Sequence, residues 1–195
     1  MTSPLKTLLE LLATRSTGEI AVASVTDFFT AESVSGFKKA AILHEGEPRK
    51  TISCSSCDEE HHVEWKKLPD GRFLAFCERG GKLQFVSKDE ILTLQIEIKA
   101  FLTSLATAVG AEIDIKPLVS DELWEIGVIT VTKRQRRVLF LRSNSSQRHI
   151  EFINALSKTI PITVFSIHPS ALGVAEEVTF VDPTLFTALG AAGLQ

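Results

Sequence analysis

Three cysteines, Cys54, Cys57 and Cys77, constrain this chain more than any other feature. They are odd in number and fall in one short stretch, and no charged-then-apolar leader precedes them: Met1-Thr2-Ser3-Pro4 runs directly into a short apolar run flanked by Lys6 and Glu10. Such a set argues against a disulfide framework and for metal binding, redox chemistry or plain burial. No run of about 18 uncharged apolar residues is present. The expectation is therefore a soluble, cytoplasmic protein that does not enter the membrane. With 195 residues, 44% hydrophobic and 23% charged, the chain can bury a core, and its length suits one domain or two to three small modules.

The apolar pattern changes period along the chain. Leu5, Leu8, Leu9 and Leu12 mark one helix face; Ile20, Val22, Val25, Phe28 and Phe29 suggest a second helix over 19–29. Thr30 is placed to cap a third, which the pattern carries to His44-Glu45-Gly46. From Arg49 short alternating segments take over, with Leu68-Pro69-Asp70-Gly71 and Glu78-Arg79-Gly80-Gly81 as turns between strands ending near Cys77 and spanning 82–86. Ser87-Lys88-Asp89-Glu90 has the form of a capping box and opens an apolar run that ends at Gly110; its first half partly alternates, and its helical face is clearest over 98–109. Beyond Ala111 come strands over 124–131 and 137–141 joined by a polar hairpin, a helix over 149–156, strands over 162–167 and 178–181, and a terminal helix opened by Asp182-Pro183. The fold class expected is α+β. Its parts are a helical module (1–50), a small antiparallel β module (51–87), a connecting helix (88–110) and an α/β unit (111–195).

The Cys54-x2-Cys57 spacing carries the strongest chemistry. Two thiolates three positions apart on a tight turn can face one ion while the turn's N–H groups offset their charge. A four-coordinate zinc needs two more ligands. Cys77 supplies the third from the end of the strand paired with the segment after the turn. The fourth comes from the His61-His62 pair, with His61 preferred because it shares strand parity with the inward residues Val63 and Trp65. Over residues 52–86 this arrangement resembles a zinc ribbon, a β module with metal-binding knuckles on two hairpin turns. That resemblance implies Zn(2+) as a structural ion. It departs from the family at Gly80, which stands where the second knuckle would place its other cysteine, so a histidine must complete the set. A ribbon that has lost its metal and redox use of the cysteines remain the alternatives. Asp58, Glu59 and Glu60 read as a solvated acidic edge.

Three short helices before a strand resemble a winged-helix module over 5–53, which implies DNA contact through the third helix. That helix carries Lys38 and Lys39 against Glu32 and Glu45, with no Arg placed to grip a guanine edge, so a packing or dimerisation role is the competing expectation. The basic hairpin is electrostatically stronger: Lys133, Arg134, Arg136 and Arg137, followed by Arg142 and Arg148, have no acidic residue among them. They are candidate phosphate contacts, or charges that protect an exposed strand end. The overall net charge of −3 excludes a wholly basic nucleic-acid coat but not a local basic face.

Catalytic signatures are lacking: there is no Gly-x-Ser-x-Gly elbow, no phosphate-cradling Gly-rich loop and no Gly-x-Gly-x-x-Gly after a strand. The late strand–hairpin–helix–strand order is loosely similar to restriction-endonuclease-type cores, which need acids and a Lys converging on a metal. Here Glu125 has no matching partner on the next strand, and His168 reads as a loop residue before Pro169. The sequence thus leads to a non-enzymatic, zinc-stabilised regulator that binds DNA or joins a DNA-associated complex. The alternatives are an adaptor that binds a protein partner or itself as a homodimer, and a hydrolase whose site escapes motif reading.

Overall fold

The structure, a computed structural model, describes residues 4–14, 19–57, 60–142, 146–166 and 174–181. In chain order these form α1 (Pro4–Thr14), β1 (Glu19–Ala21), a 3-10 turn (Val22–Ser24), α2 (Val25–Phe28), α3 (Ala31–Lys39), β2 (Leu43–Glu45), β3 (Thr51–Ser53), β4 (His62–Lys67), β5 (Phe73–Cys77), β6 (Lys82–Val86) and α4 (Lys88–Ile91). They continue with β7 (Thr93–Ile96), α5 (Ile98–Ala108), β8 (Glu112–Val119), β9 (Leu123–Val131), β10 (Arg134–Leu141), α6 (Gln147–Ser157), β11 (Ile162–Ser166) and β12 (Val178–Val181). The chain is of mixed helix and sheet, the α+β class expected. None of the described helices is long and apolar enough to cross a membrane.

Packing groups the chain into two compact units that are discontinuous in sequence: Glu19–Phe28 with His44–Gln95, and Met1–Gly18 with Phe29–Leu43 and Ile96–Gln195. The first holds the sheets β1-β7-β2 and β3-β4-β5-β6. The discontinuity arises because β7, late in that unit, pairs antiparallel with β1 at its start, Ile20 facing Leu94.

That pairing also explains where helical expectations fail. Residues 19–29 form a strand, a 3-10 turn and a four-residue helix instead of one helix. Ile20 is buried against β7, and the Val22 N–H donates to the Leu92 carbonyl at 2.9 Å. β-Branched residues fit that pleated surface better than a helix interior. Thr30 does cap α3, accepting from the Ser33 N–H, but α3 stops at Lys39. Ala41 takes a left-handed conformation (φ 56°), and the Ile42 N–H closes back on the Phe37 carbonyl at 2.9 Å. Gly46 serves close approach between strands: a Cβ there would stand 2.5 Å from Thr93 Oγ1. Among the described residues, the expected run of three helices is accordingly replaced by α1 and α3 with β1, the 3-10 turn and the short α2 between them.

The expected connecting helix over 88–110 is also interrupted. Ser87 and Glu90 form the full capping box, yet α4 ends at Ile91 and the alternating Thr93–Ile96 becomes β7. Glu97 recaps the chain through the Lys99 N–H, and α5 follows.

The second unit is built on a five-stranded sheet in the order β12-β11-β10-β9-β8. β8, β9 and β10 are antiparallel, whereas β11 and β12 add parallel, β11 after the α6 crossover. Its core gathers Leu123, Leu139, Leu141, Ile153, Ile162 and Val164, and Phe101 of α5 meets Phe140 edge-on at 5.4 Å. β8 has no counterpart in the sequence expectations. Three charged residues, Glu112, Asp114 and Lys116, alternate with Ile113 and Ile115 before Pro117, and at the sheet edge both the charges and the proline are tolerated. The terminal helix expected after Asp182 and the loop residue His168 lie outside the described residues.

β9 and β10 turn through Thr132 and Lys133, both at positive φ (48° and 68°), as a two-residue type I′ hairpin requires. A β-branched residue is strained there. Replacing Thr132→Asn together with Lys133→Gly should stabilise the protein by about 1 kcal/mol. A thermal melt raised by a few degrees is expected; an unchanged or lower midpoint would contradict the turn geometry.

Candidate metal centre

The module carrying the cysteines is an antiparallel meander. Ile52 faces Val63, Trp65 faces Ala75, and Ala75 faces Gln84. Alternation sends Ile52, Val63, Ala75, Cys77 and Val86 to one face, where they pack with Ile91, and Trp65 and Phe73 close the end with an edge-on contact at 5.3 Å. The Trp65 indole N–H donates to the Arg49 carbonyl, fixing the chain before β3. Two loops leave this sheet at one end: 54–61 between β3 and β4, and 78–81 between β5 and β6.

At that end Cys54, Cys57, His61 and Cys77 converge, one ligand atom from each lying within 4.8 Å of the others. The Cys54–Cys57 and Cys57–Cys77 Sγ separations are both 3.8 Å. His61 Nε2 stands 3.4 Å from Cys77 Sγ and 4.0 Å from Cys57 Sγ, while its Nδ1 is 3.6 Å from Cys57 Sγ. A tetrahedral ion with metal–sulfur bonds of about 2.3 Å and metal–nitrogen bonds of about 2.0 Å has S···S edges near 3.8 Å and S···N edges near 3.5 Å. The four side chains are thus close to the spacing of a tetrahedral Cys3His set and could bind one metal ion.

Backbone donors support the sulfurs. The Ser56 N–H points at Cys54 Sγ (3.3 Å) and the Gly80 N–H at Cys77 Sγ (3.1 Å), one donor in each loop. The Cys54 N–H donates to the His61 carbonyl at 2.9 Å, closing the first loop so that Cys57 and the His61 ring lie on the same side. Desolvation pushes the Cys54 thiol up, but hydrogen bonds from Ser56 and from the Cys77 and Cys57 thiols outweigh it and bring its pKa from 9.0 down to about 7. Metal binding needs the thiolate, so this loop lowers the proton cost of loading.

Gly80 lies against the cluster. A Cβ on Gly80 would be 3.4 Å from Cys77 Sγ and 3.5 Å from Cys57 Cβ, directed at the cluster. The imidazole of His61 takes the fourth place. His62, one residue on, belongs to β4 and is exposed on the opposite face; parity separates the two histidines. Glu60 is exposed, and Asp58 and Glu59 lie outside the described residues.

Gln84 was not among the sequence candidates. It projects from the inner face of β6, 9% exposed, and its Oε1 accepts from the Ser55 N–H (3.0 Å), the Ser55 hydroxyl (3.3 Å) and the Ser56 hydroxyl (3.1 Å). The available signal is an amide at an inward position of an alternating strand, two residues before the buried Val86.

On the opposite face of the meander, the β5–β6 part is apolar and open, beside the outward His62, Glu64 and Lys66 of β4. Phe76, Leu83 and Phe85 are exposed by 51%, 65% and 68%; Phe76 faces Leu83 across β5–β6, and Arg72 covers the Phe85 ring. Beside them a depression of about 450 Å³ is lined in part by His62, Glu64, Lys66, Glu78 and Arg79.

The basic hairpin divides in two. Lys133 and Arg134 are exposed at the tip. Arg136 turns across the sheet, donating to Thr163 Oγ1, the Ile162 carbonyl and Thr179 Oγ1. Arg137 forms a two-point pair with Glu125 at 2.9 and 2.6 Å, both side chains under a fifth exposed. Its pKa is raised by that hydrogen bond. Arg142 donates to the Leu12 carbonyl at the end of α1. Three of the six cations thus hold β10 and its surroundings together. Another polar grouping, Ser146, His149 and Glu122, is a helix cap: Ser146 and His149 form the reciprocal capping bonds of α6, and His149 Nε2 lies 2.7 Å from Glu122.

The geometry distinguishes the two neighbouring histidines. His61→Ala should weaken cobalt or zinc binding by more than the ~10–100-fold typical of losing an outer-shell partner, whereas His62→Ala should leave it unchanged. Equal effects, read from cobalt titration, would contradict the placement. Comparison with family models, with curated proteins and with solved structures finds no match to this chain.

Proposed function

We propose that this chain is a non-enzymatic protein whose β3–β6 module is held together by one structural zinc ion, bound by Cys54, Cys57, Cys77 and His61 in the manner of a zinc ribbon. The observation that carries this reading is the convergence of four ligand atoms within 4.8 Å, with Cys57 Sγ 3.8 Å from both Cys54 Sγ and Cys77 Sγ, the edge length of a tetrahedral zinc–sulfur shell. Four protein ligands leave no position for water, which favours a structural over a catalytic ion. Protein purified without added metal should contain about one zinc per chain; less than a tenth of that would reject the site. Cys57→Ser should unprotect the backbone of 51–86 in hydrogen exchange while β9–β11 stay protected.

On this reading the protein acts by binding another macromolecule. A protein partner is favoured by the exposed apolar side chains of Phe76, Leu83 and Phe85 on the outer face of β5–β6, since adjoining apolar groups left to solvent mark interaction surfaces. The DNA reading rests on the exposed cations Lys133 and Arg134, since Arg136 and Arg137 are engaged within the sheet. Retention on duplex DNA at low salt should fall with Lys133→Glu plus Arg134→Glu if that tip grips phosphates. No retention by the unsubstituted protein on duplex or single strands would reject DNA binding. Arg137→Met tests the other role, and should destabilise the fold by about 2 kcal/mol by leaving Glu125 unpaired in a half-closed site.

A further inference from the structure

We infer that Gln84 is a positioning residue that shapes the Cys54–Cys57 loop for its metal before the ion arrives. This rests on the metal-binding reading above and extends it to a residue that does not touch the ion. β6 alternates Leu83 and Phe85 outward with Gln84 and Val86 inward. An inward position beside Ala75 and Val86 would ordinarily take an apolar side chain, because a buried amide without partners is costly. Gln84 has partners on both sides of the first cysteine. Its Nε2 donates to the Ser53 carbonyl (3.4 Å), and its Oε1 receives the Ser55 and Ser56 donors. The amide orientation is set by chemistry: the Ser55 N–H can only donate, so the oxygen must face it.

Small Ala75, opposite Gln84 in the register, leaves room for the amide to reach across the sheet. The two serines between Cys54 and Cys57 are thereby tied to a strand 28–29 residues away rather than to the cysteines alone. With Ser55 and Ser56 held, the Ser56 N–H stays aimed at Cys54 Sγ and the 3.8 Å separation of the first two sulfurs is kept. Less of the loop's freedom is then lost when the ion binds, which raises affinity. The second loop needs no such brace, because Cys77 sits at the end of β5 and is fully buried.

The test is cobalt titration of the full-length protein with zinc competition, comparing Gln84→Leu, Ser56→Ala, the double variant and Leu83→Ala on the outward face of the same strand. Gln84→Leu, of similar volume, should weaken metal affinity about 10–100-fold. Its cobalt band should also broaden or shift as the sulfur geometry loosens. Leu83→Ala should retain the unsubstituted affinity. The double variant should lose less than the product of the two single losses, since both remove one contact. Unchanged affinity in Gln84→Leu, or a loss matched by Leu83→Ala, would overturn the inference while leaving the metal site intact. Failure of the unsubstituted chain to bind cobalt would instead overturn the metal reading and this inference with it.

Discussion

Convergence of three sulfurs and one imidazole at one end of a small sheet is the constraint on which the first unit depends. The meander β3–β6 buries few side chains: Ile52, Val63, Ala75, Cys77 and Val86, with Ile91 beneath. So small an apolar set has little to set against the ordering of four strands and the loops 54–61 and 78–81, and modules of this size ordinarily need a cross-link. A metal ion bound by residues 54, 57, 61 and 77, as proposed, would tie both loops to one point. Its binding free energy would then become folding free energy. The sheet in turn delivers the ligands, since β5 ends on Cys77 and the β3–β4 closure places His61.

The second unit is organised differently. Its sheet has a larger apolar core, including Leu123, Ile126, Leu139 and Phe140 at no exposure, and needs no cross-link. The polar interactions there act as fasteners between strands. Arg136 spans β10, β11 and β12, and the Arg137–Glu125 pair joins β10 to β9. Cations that look like a nucleic-acid surface in the sequence are partly consumed in this way. A positive run on a strand alternates faces, so residues 134 and 136 share one side and 137 takes the other.

The metal cluster was legible because its information is local: a Cys-x2-Cys spacing, strand parity that favours His61 over His62, and a turn that returns Cys77 to the same end. Helix caps at Thr30 and Ser87 were legible for the same reason. What was not legible depended on distant partners. Glu19–Ala21 is a strand because β7 lies beside it, and Gly46 is a glycine because Thr93 crowds it, not because a helix ends there. A capping box at Ser87 specifies where a helix starts but not that it lasts four residues. Gln84 belongs to this second kind. Nothing in its neighbours along the chain announces that its amide is matched to two serines across the sheet.

The central claim is that Cys54, Cys57, Cys77 and His61 share one ion. X-ray absorption at the zinc edge of the purified protein tests it most directly. The account predicts three sulfurs at about 2.3 Å and one imidazole nitrogen at about 2.0 Å from a single zinc per chain. A shell dominated by oxygen and nitrogen, or no zinc at all, would contradict it.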